Sequence, residues 1–236
     1  LWRRLSGPVA AARRGAYHRA SATPAAVSPV HRIRIKICGL TREQDVRAAV
    51  EAGADAIGFV FYPPSPRYVS FERAAELARL VPPFVSIVGL FVNPAPDFVR
   101  EALAKVPLQV LQFHGDEQET NCVGFGLPYI KAARMRPGLD LLKYAACFPG
   151  AQGLLVDAFV EGYGGGGETF DWSLIPRELP VPLILSGGLH AGNVAEAVQR
   201  VQPWAVDVSS GVEAAKGIKD AARITEFVAG VRNAHG

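Results

Sequence analysis

The chain has 236 residues and a formal net charge of +3, and 49% of its residues are hydrophobic. That length suits one α/β barrel domain as well as two small ones, and no apolar run approaches the roughly 18 residues needed to span a bilayer. Five arginines and no acid fall in residues 1–30, so the remainder carries −2 and the basic pI does not point to nucleic acid.

Residues 1–30 are rich in Ala, Arg, Ser and Pro without a sustained apolar period, which predicts a disordered extension ahead of a domain over 31–236. An organellar transit peptide and an upstream extension outside the native start both fit it. Val9 to Ala12 is too short for a secretory h-region. The expected location is cytoplasmic, or a plastid if the extension is a transit peptide. The three cysteines, Cys38, Cys122 and Cys147, have no framework spacing, and the five histidines are scattered. Neither a disulfide scaffold nor a metal site is expected.

From residue 31 onward, apolar runs alternate with amphipathic or alanine-rich runs. Strands are predicted at 33–37, 55–61, 85–92, 108–113, 128–133, 152–157, 182–186 and 204–209. Helices are predicted at 42–52, 71–80, 95–104, 116–124, 138–146, 172–175, 191–201 and 219–232, with Thr41 placed to cap the first. Eight such units predict a single (β/α)8 TIM barrel with parallel strands covered by helices. An open doubly wound sheet is the alternative, weakened by the missing G-x-G-x-x-G after the first strand.

Barrel sites collect where strands end. The rim residues are then Cys38-Gly39, Phe61 to Arg67, Phe91 to Asn93, Gln112 to Gly115, Arg134, Asp157, Ser186 to Gly188, and Ser209 to Gly211. Gly187, Gly188, Ser210 and Gly211 follow the last two strands, where backbone N–H groups can grip a phosphate; tight turns alone would also use such glycines. Gly164 to Gly167 suit a loop closing over a ligand, with Phe170-Asp171-Trp172 as its anchor, or a plain linker.

Cys38 is either a small buried residue or a thiolate base. Asp157 is either a loop aspartate or, if desolvated, a general acid on the other side of the mouth. Arg67, on a proline-stiffened loop, can hold a carboxylate bidentately. His114 can orient or polarise a ligand. Asp207, a charge inside an apolar strand, calls for a ligand hydroxyl or a basic group.

These motifs together resemble the phosphoribosylanthranilate isomerases of tryptophan biosynthesis. The resemblance is carried by Lys36-Ile37-Cys38-Gly39-Leu40-Thr41, Gly58 to Phe61, Ser65-Pro66-Arg67-Tyr68, Gly89 to Asn93 and Leu111 to Glu117. It continues through Leu155-Val156-Asp157, Phe170 to Trp172, Leu185 to Leu189 and Val206 to Glu213. It implies a cofactor-free, metal-free Amadori rearrangement of N-(5-phosphoribosyl)anthranilate by a monomer or homodimer, with no nucleic-acid or membrane partner. By the same resemblance Cys38 is the base, Asp157 the acid and Arg67 the anthranilate-carboxylate ligand. Gly165, Gly167 and the glycine loops after the last two strands take the phosphate, while Gly166 departs from the usual Ser or Thr. An indole-glycerol-phosphate synthase would instead need a lysine at a strand end, and a histidine-pathway isomerase aspartates at strands one and five. A barrel that binds phosphate ligands without turnover is the remaining alternative.

Overall fold

Eight parallel strands close on themselves in chain order, each hydrogen-bonded to the next, with the eighth returning to the first. The structure, a computed structural model, describes residues 32–158 and 169–234. The predicted extension over 1–30 and the glycines 164–167 therefore lie outside the described residues.

The strands are β1 (Arg34–Cys38), β2 (Ala56–Val60), β3 (Ser86–Phe91), β4 (Val110–Phe113), β5 (Tyr129–Met135), β6 (Gly153–Ala158), β7 (Leu183–Leu185) and β8 (Ala205–Val208). The helices between them are α1 (Glu43–Ala52), α2 (Phe71–Ala78), α3 (Pro96–Lys105), α4 (Glu119–Cys122), α5 (Leu141–Ala146) and α6 (Val194–Val201), and α7 (Ala221–Ala234) follows β8. Closure removes every unpaired strand edge. The (β/α)8 TIM barrel is thus the observed fold.

Three expectations are corrected. Among the described residues the sixth unit carries only a 3-10 turn, Trp172–Leu174, and Pro176, Pro180 and Pro182 leave too few consecutive N–H donors to extend it into a longer helix. The predicted helix over 116–124 shrinks to one turn, α4, with Gly124 and Gly126 beyond it at φ +86° and +76°. Thr41 does not cap α1. Its hydroxyl donates to the Gly217 carbonyl at 2.7 Å, which ties the first loop to an antiparallel pair after β8, β9 (Glu213–Ala215) and β10 (Ile218–Lys219).

Alternation along the strands sorts side chains into two layers. One apolar cluster inside the barrel joins Ala132, Leu155, Ile184 and Ala205, and another joins Cys38, Val60, Leu90 and Val92. The large cluster between strands and helices includes Ile35, Ile37, Phe59, Phe91, Phe113 and Phe227. Burying each such phenylalanine contributes about 1.5–3 kcal/mol. Cys38, Asp157 and Asp207 share parity with the interior set, so their side chains face the barrel axis near its mouth.

Candidate active site

Cys38 closes β1 and is 4% exposed. Its partner was missed in the sequence because it lies two residues earlier: Lys36 points to the same interior face. In strand register Lys36 stands beside Asp207 and Cys38 beside Gly58. Lys36 Nζ donates to Asp207 Oδ1 at 2.8 Å, and both Lys36 Nζ and the Cys38 sulfur lie against Gly58. Gly58 makes this meeting possible: a Cβ there would lie 2.8 Å from Cys38 Sγ and 3.2 Å from Lys36 Nζ. Burial pushes the Cys38 thiol up, the Lys36 ammonium pulls it back, and Asp207 adds to the rise, leaving it above the ordinary thiol value. Burial also works against the Lys36 charge, yet Asp207 and the cysteine sulfur more than offset it, so Lys36 titrates above the usual lysine range.

Of the two partners expected for Asp207, the structure supplies the basic one. Its second oxygen takes the Ser186 hydroxyl at 3.4 Å.

Asp157, 8% exposed, ends the interior face of β6. Oδ1 accepts from the Ala158 amide at 2.9 Å, and Oδ2 lies 3.1 Å from His114 Nε2. In a ring of eight, β5 faces β1, so β6 stands one strand from directly opposite Cys38. Gly187, at φ +82°, brings the loop after β7 onto this group: a Cβ there would sit 2.4 Å from the Ala158 nitrogen and 2.9 Å from Asp157 Oδ1.

His114 thus reaches Asp157. Its other nitrogen, Nδ1, is 3.1 Å from the amide nitrogen of Gln112. The loop beneath His114 is held by a fully buried pair, Lys131 Nζ to Glu117 Oε2 at 2.9 Å. Glu117 in turn accepts the Asn93 and Gly115 amides at 2.8 and 2.9 Å. Lys131 has opposite parity to Ala132 and faces the helix layer, where its ammonium lies 5.4 Å from the Phe148 ring.

Arg67, on its proline-stiffened loop, is buried. Its Nε and Nη2 clamp Glu213 at 2.7 and 2.8 Å, leaving the Nη1 edge of the guanidinium to turn elsewhere. Lys219 holds the same carboxylate at 2.9 Å and the Ser209 carbonyl at 3.0 Å, and Ser209 donates to the Cys38 carbonyl at 3.0 Å. An unbroken polar chain therefore runs from the loop after β2, across β9 and β10, to the end of β1.

The remaining predicted residues fall on the last two loops. Gly188, at φ +63°, accepts at its carbonyl from the Asn193 side-chain Nδ2 at 3.0 Å. Ser210 and Gly211 open the 3-10 turn Ser210–Val212. Gly165 and Gly167 lie outside the described residues. Phe170 and Trp172, the expected anchor, pack against the main core.

Fold and rim together define a (β/α)8-barrel enzyme with its polar groups gathered where the strands end. The family model for N-(5'phosphoribosyl)anthranilate (PRA) isomerase matches residues 35–230. The N-(5'-phosphoribosyl)anthranilate isomerase of Dechloromonas aromatica (strain RCB) is 68% identical over 201 residues, which cover 85% of this chain and 97% of that one. The crystal structure of phosphoribosyl anthranilate isomerase from Thermotoga maritima superposes with a TM-score of 0.78 at 43% identity, over 85% of this chain and 99% of that one. A phosphoribosyl anthranilate isomerase in complex with reduced 1-(o-carboxyphenylamino)-1-deoxyribulose 5-phosphate superposes with a TM-score of 0.75 at 40% identity, over 85% and 99%.

The chain belongs to the N-(5'-phosphoribosyl)anthranilate isomerase family. It is an intramolecular aldose–ketose isomerase of tryptophan biosynthesis, EC 5.3.1.24. Among the described residues no helix is long and apolar enough to cross a membrane.

Proposed function

We propose that Cys38 is the base and Asp157 the acid with which this isomerase converts N-(5-phosphoribosyl)anthranilate to 1-(2-carboxyphenylamino)-1-deoxyribulose 5-phosphate. The supporting observation is that a thiol and a carboxyl end β1 and β6 on the interior face of one rim, the thiol with Lys36 on the same face of its strand and the carboxyl 3.1 Å from His114 Nε2. Asp157 protonates the ribose ring oxygen, and the furanose opens to an iminium. Cys38, as thiolate, removes the proton from C2. The electron pair moves into the iminium, so the substrate is its own electron sink, and the enolamine tautomerises to the ketone.

Lys36 stays an ammonium and stabilises the thiolate, which sets its role apart from that of a catalytic lysine. Arg67, oriented by Glu213, receives the anthranilate carboxylate on its remaining edge. Backbone amides of the loops at Gly187-Gly188 and Ser210-Gly211 receive the phosphate, joined by those at Gly165 and Gly167. Among the described residues one oxygen of Asp207 is shared only with Ser186, at 3.4 Å, which suits a sugar hydroxyl.

The test is turnover of freshly generated phosphoribosylanthranilate, followed by loss of its fluorescence. Cys38→Ala and Asp157→Asn should each lower kcat by about 10²–10⁴ and still bind a reduced product analogue. Binding without turnover by the unmodified protein would leave a ligand-binding barrel instead.

A further inference from the structure

Gln112 is a residue the reaction scheme does not use, and the fold keeps it at a cost. It sits on β4, fully buried, and its Oε1 has no hydrogen-bond partner among the described residues. A buried amide oxygen left unpaired lowers stability, and natural cores rarely retain one without a reason. An apolar side chain of the same size would remove that unpaired oxygen, but it would strip a buried neighbour of its partner. The other end of the amide supplies the reason.

Gln112 Nε2 lies 3.1 Å from His114 Nδ1, and His114 Nε2 lies 3.1 Å from Asp157 Oδ2. An amide nitrogen only donates. Nδ1 must therefore accept, so the neutral imidazole carries its proton on Nε2, and that N–H points at the Asp157 carboxyl. Rotating the amide would place Oε1 on Nδ1, move the imidazole proton there, and leave a lone pair facing Asp157.

We propose that Gln112 is a positioning residue that fixes the Nε2–H tautomer of His114, so that His114 donates to Asp157 and stabilises the carboxylate formed as the substrate is protonated. The proposal deepens the reading of Asp157 as general acid and rests on it. No new bond is made or broken. The relay makes proton release from Asp157 more favourable, and it holds Oδ2 so that the carboxyl keeps one orientation. Among the described residues the other groups around Asp157 are few. Arg134 stands in register on β5 and pairs with Asp116 at 2.8 Å. β7 contributes only the Ser186 hydroxyl, and beyond it lie Asp207 and Lys36, paired with each other.

The test is Gln112→Leu, with Gln112→Glu as a second variant, read in three ways. ¹⁵N spectra of the free protein should show His114 as the Nε2–H tautomer in the parent. Gln112→Leu should show a mixture, and Gln112→Glu a proton on Nδ1. The thermal midpoint of Gln112→Leu should stay within a few degrees of the parent, since the unpaired Oε1 goes but His114 Nδ1 loses its donor. Its kcat should fall about tenfold with KM within twofold, because the lost orientation of Asp157 Oδ2 outweighs the larger fraction of protonated acid. The acid side of the kcat profile should move up in pH in Gln112→Leu, because the carboxylate loses a donor. A parent tautomer with the proton on Nδ1 would overturn the proposal, as would an unchanged kcat and pH profile in Gln112→Leu. A raised KM at constant kcat would place Oε1 on the substrate and also overturn it. Full turnover by Asp157→Asn would defeat the acid assignment alone, since the tautomer is measured without catalysis.

Discussion

Arg67 grips Glu213 through two parallel hydrogen bonds, from Nε and Nη2 at 2.7 and 2.8 Å, with both side chains buried. A guanidinium clamped on one edge has lost its rotational freedom before any ligand arrives. Glu213→Gln keeps the shape and removes the charge, so Arg67 should lose its fixed orientation. The expected result is a KM raised about tenfold with kcat within about threefold, the pattern of lost uniform binding. Steady-state kinetics across substrate concentration check it. Because the substitution leaves Arg67 and Lys219 underneutralised in a buried setting, stability should fall by about 3 kcal/mol.

The same carboxylate predicts a pH dependence of stability. Burial works to raise the Glu213 pKa, but the hydrogen bond from Arg67 and the charge of Lys219 outweigh it, and the net shift is downward. A carboxyl held below its unfolded value binds fewer protons in the folded state, so its contribution is complete above that unfolded value, about 4.3, and is lost as pH falls through the folded one. Urea unfolding from pH 7 to pH 3 should show the gap between parent and Glu213→Gln shrinking on the acid side. A gap that stayed constant to pH 3 would show that this carboxylate is not the linked group.

Lys36 and Cys38 predict how the reaction depends on alkali. The productive form needs Asp157 protonated and Cys38 ionised, and an ordinary thiol titrates above an ordinary carboxyl. Between the two the competent fraction is flat, and it falls tenfold for each unit that separates them. Removing the ammonium in Lys36→Met leaves Asp207 facing the sulfur and should raise the thiol further. The plateau in kcat should drop by at least tenfold, and the alkaline limb should move to higher pH. Alkylation of Cys38 by iodoacetamide, measured against pH without substrate, should show the same upward shift. Lys36→Met combined with Asp207→Asn should recover part of it, because the facing carboxylate is gone.

The barrel was legible because its evidence is periodic: eight apolar runs, spaced by amphipathic ones, survive errors of one or two residues at each boundary. Cys38, Asp157 and the loops at Gly187 and Ser210 were legible because strand ends are where such a fold puts its chemistry. Lys36 was placed within its strand but not assigned, since its role depends on which way the side chain points and on Asp207 standing in register 171 residues later. Glu213 and Lys219 lie in β9 and β10, a pairing that the sequence Glu-Ala-Ala-Lys-Gly-Ile-Lys does not announce, and Lys219 was read as the start of the last helix. Their burial follows from Arg67 and Ser209 arriving from elsewhere. His114 was expected to meet ligand, and only the tertiary approach of β4 to β6 shows that Asp157 is its partner.

Gly58 gives the most local test of the β1 site. No side chain separates β2 from the thiol, and a methyl group at this position would stand 2.8 Å from Cys38 Sγ and 3.2 Å from Lys36 Nζ. The first contact is shorter than packed atoms tolerate and the second is tight, so Gly58→Ala must push the sulfur off the axis of the mouth and crowd the ammonium. Strain of this kind costs about 1–3 kcal/mol, less than the stability of an ordinary domain, so the variant should fold. A displacement near 1 Å at a reacting group is enough to cost about a hundredfold in rate. Gly58→Ala should therefore lose kcat by about that factor and change the pH dependence of Cys38 alkylation, with binding of a reduced product analogue retained through Arg67 and the distal loops. Retained kcat together with a lowered thermal midpoint would mean that the thiol has room to move and that its position beside Lys36 is not what sets the rate.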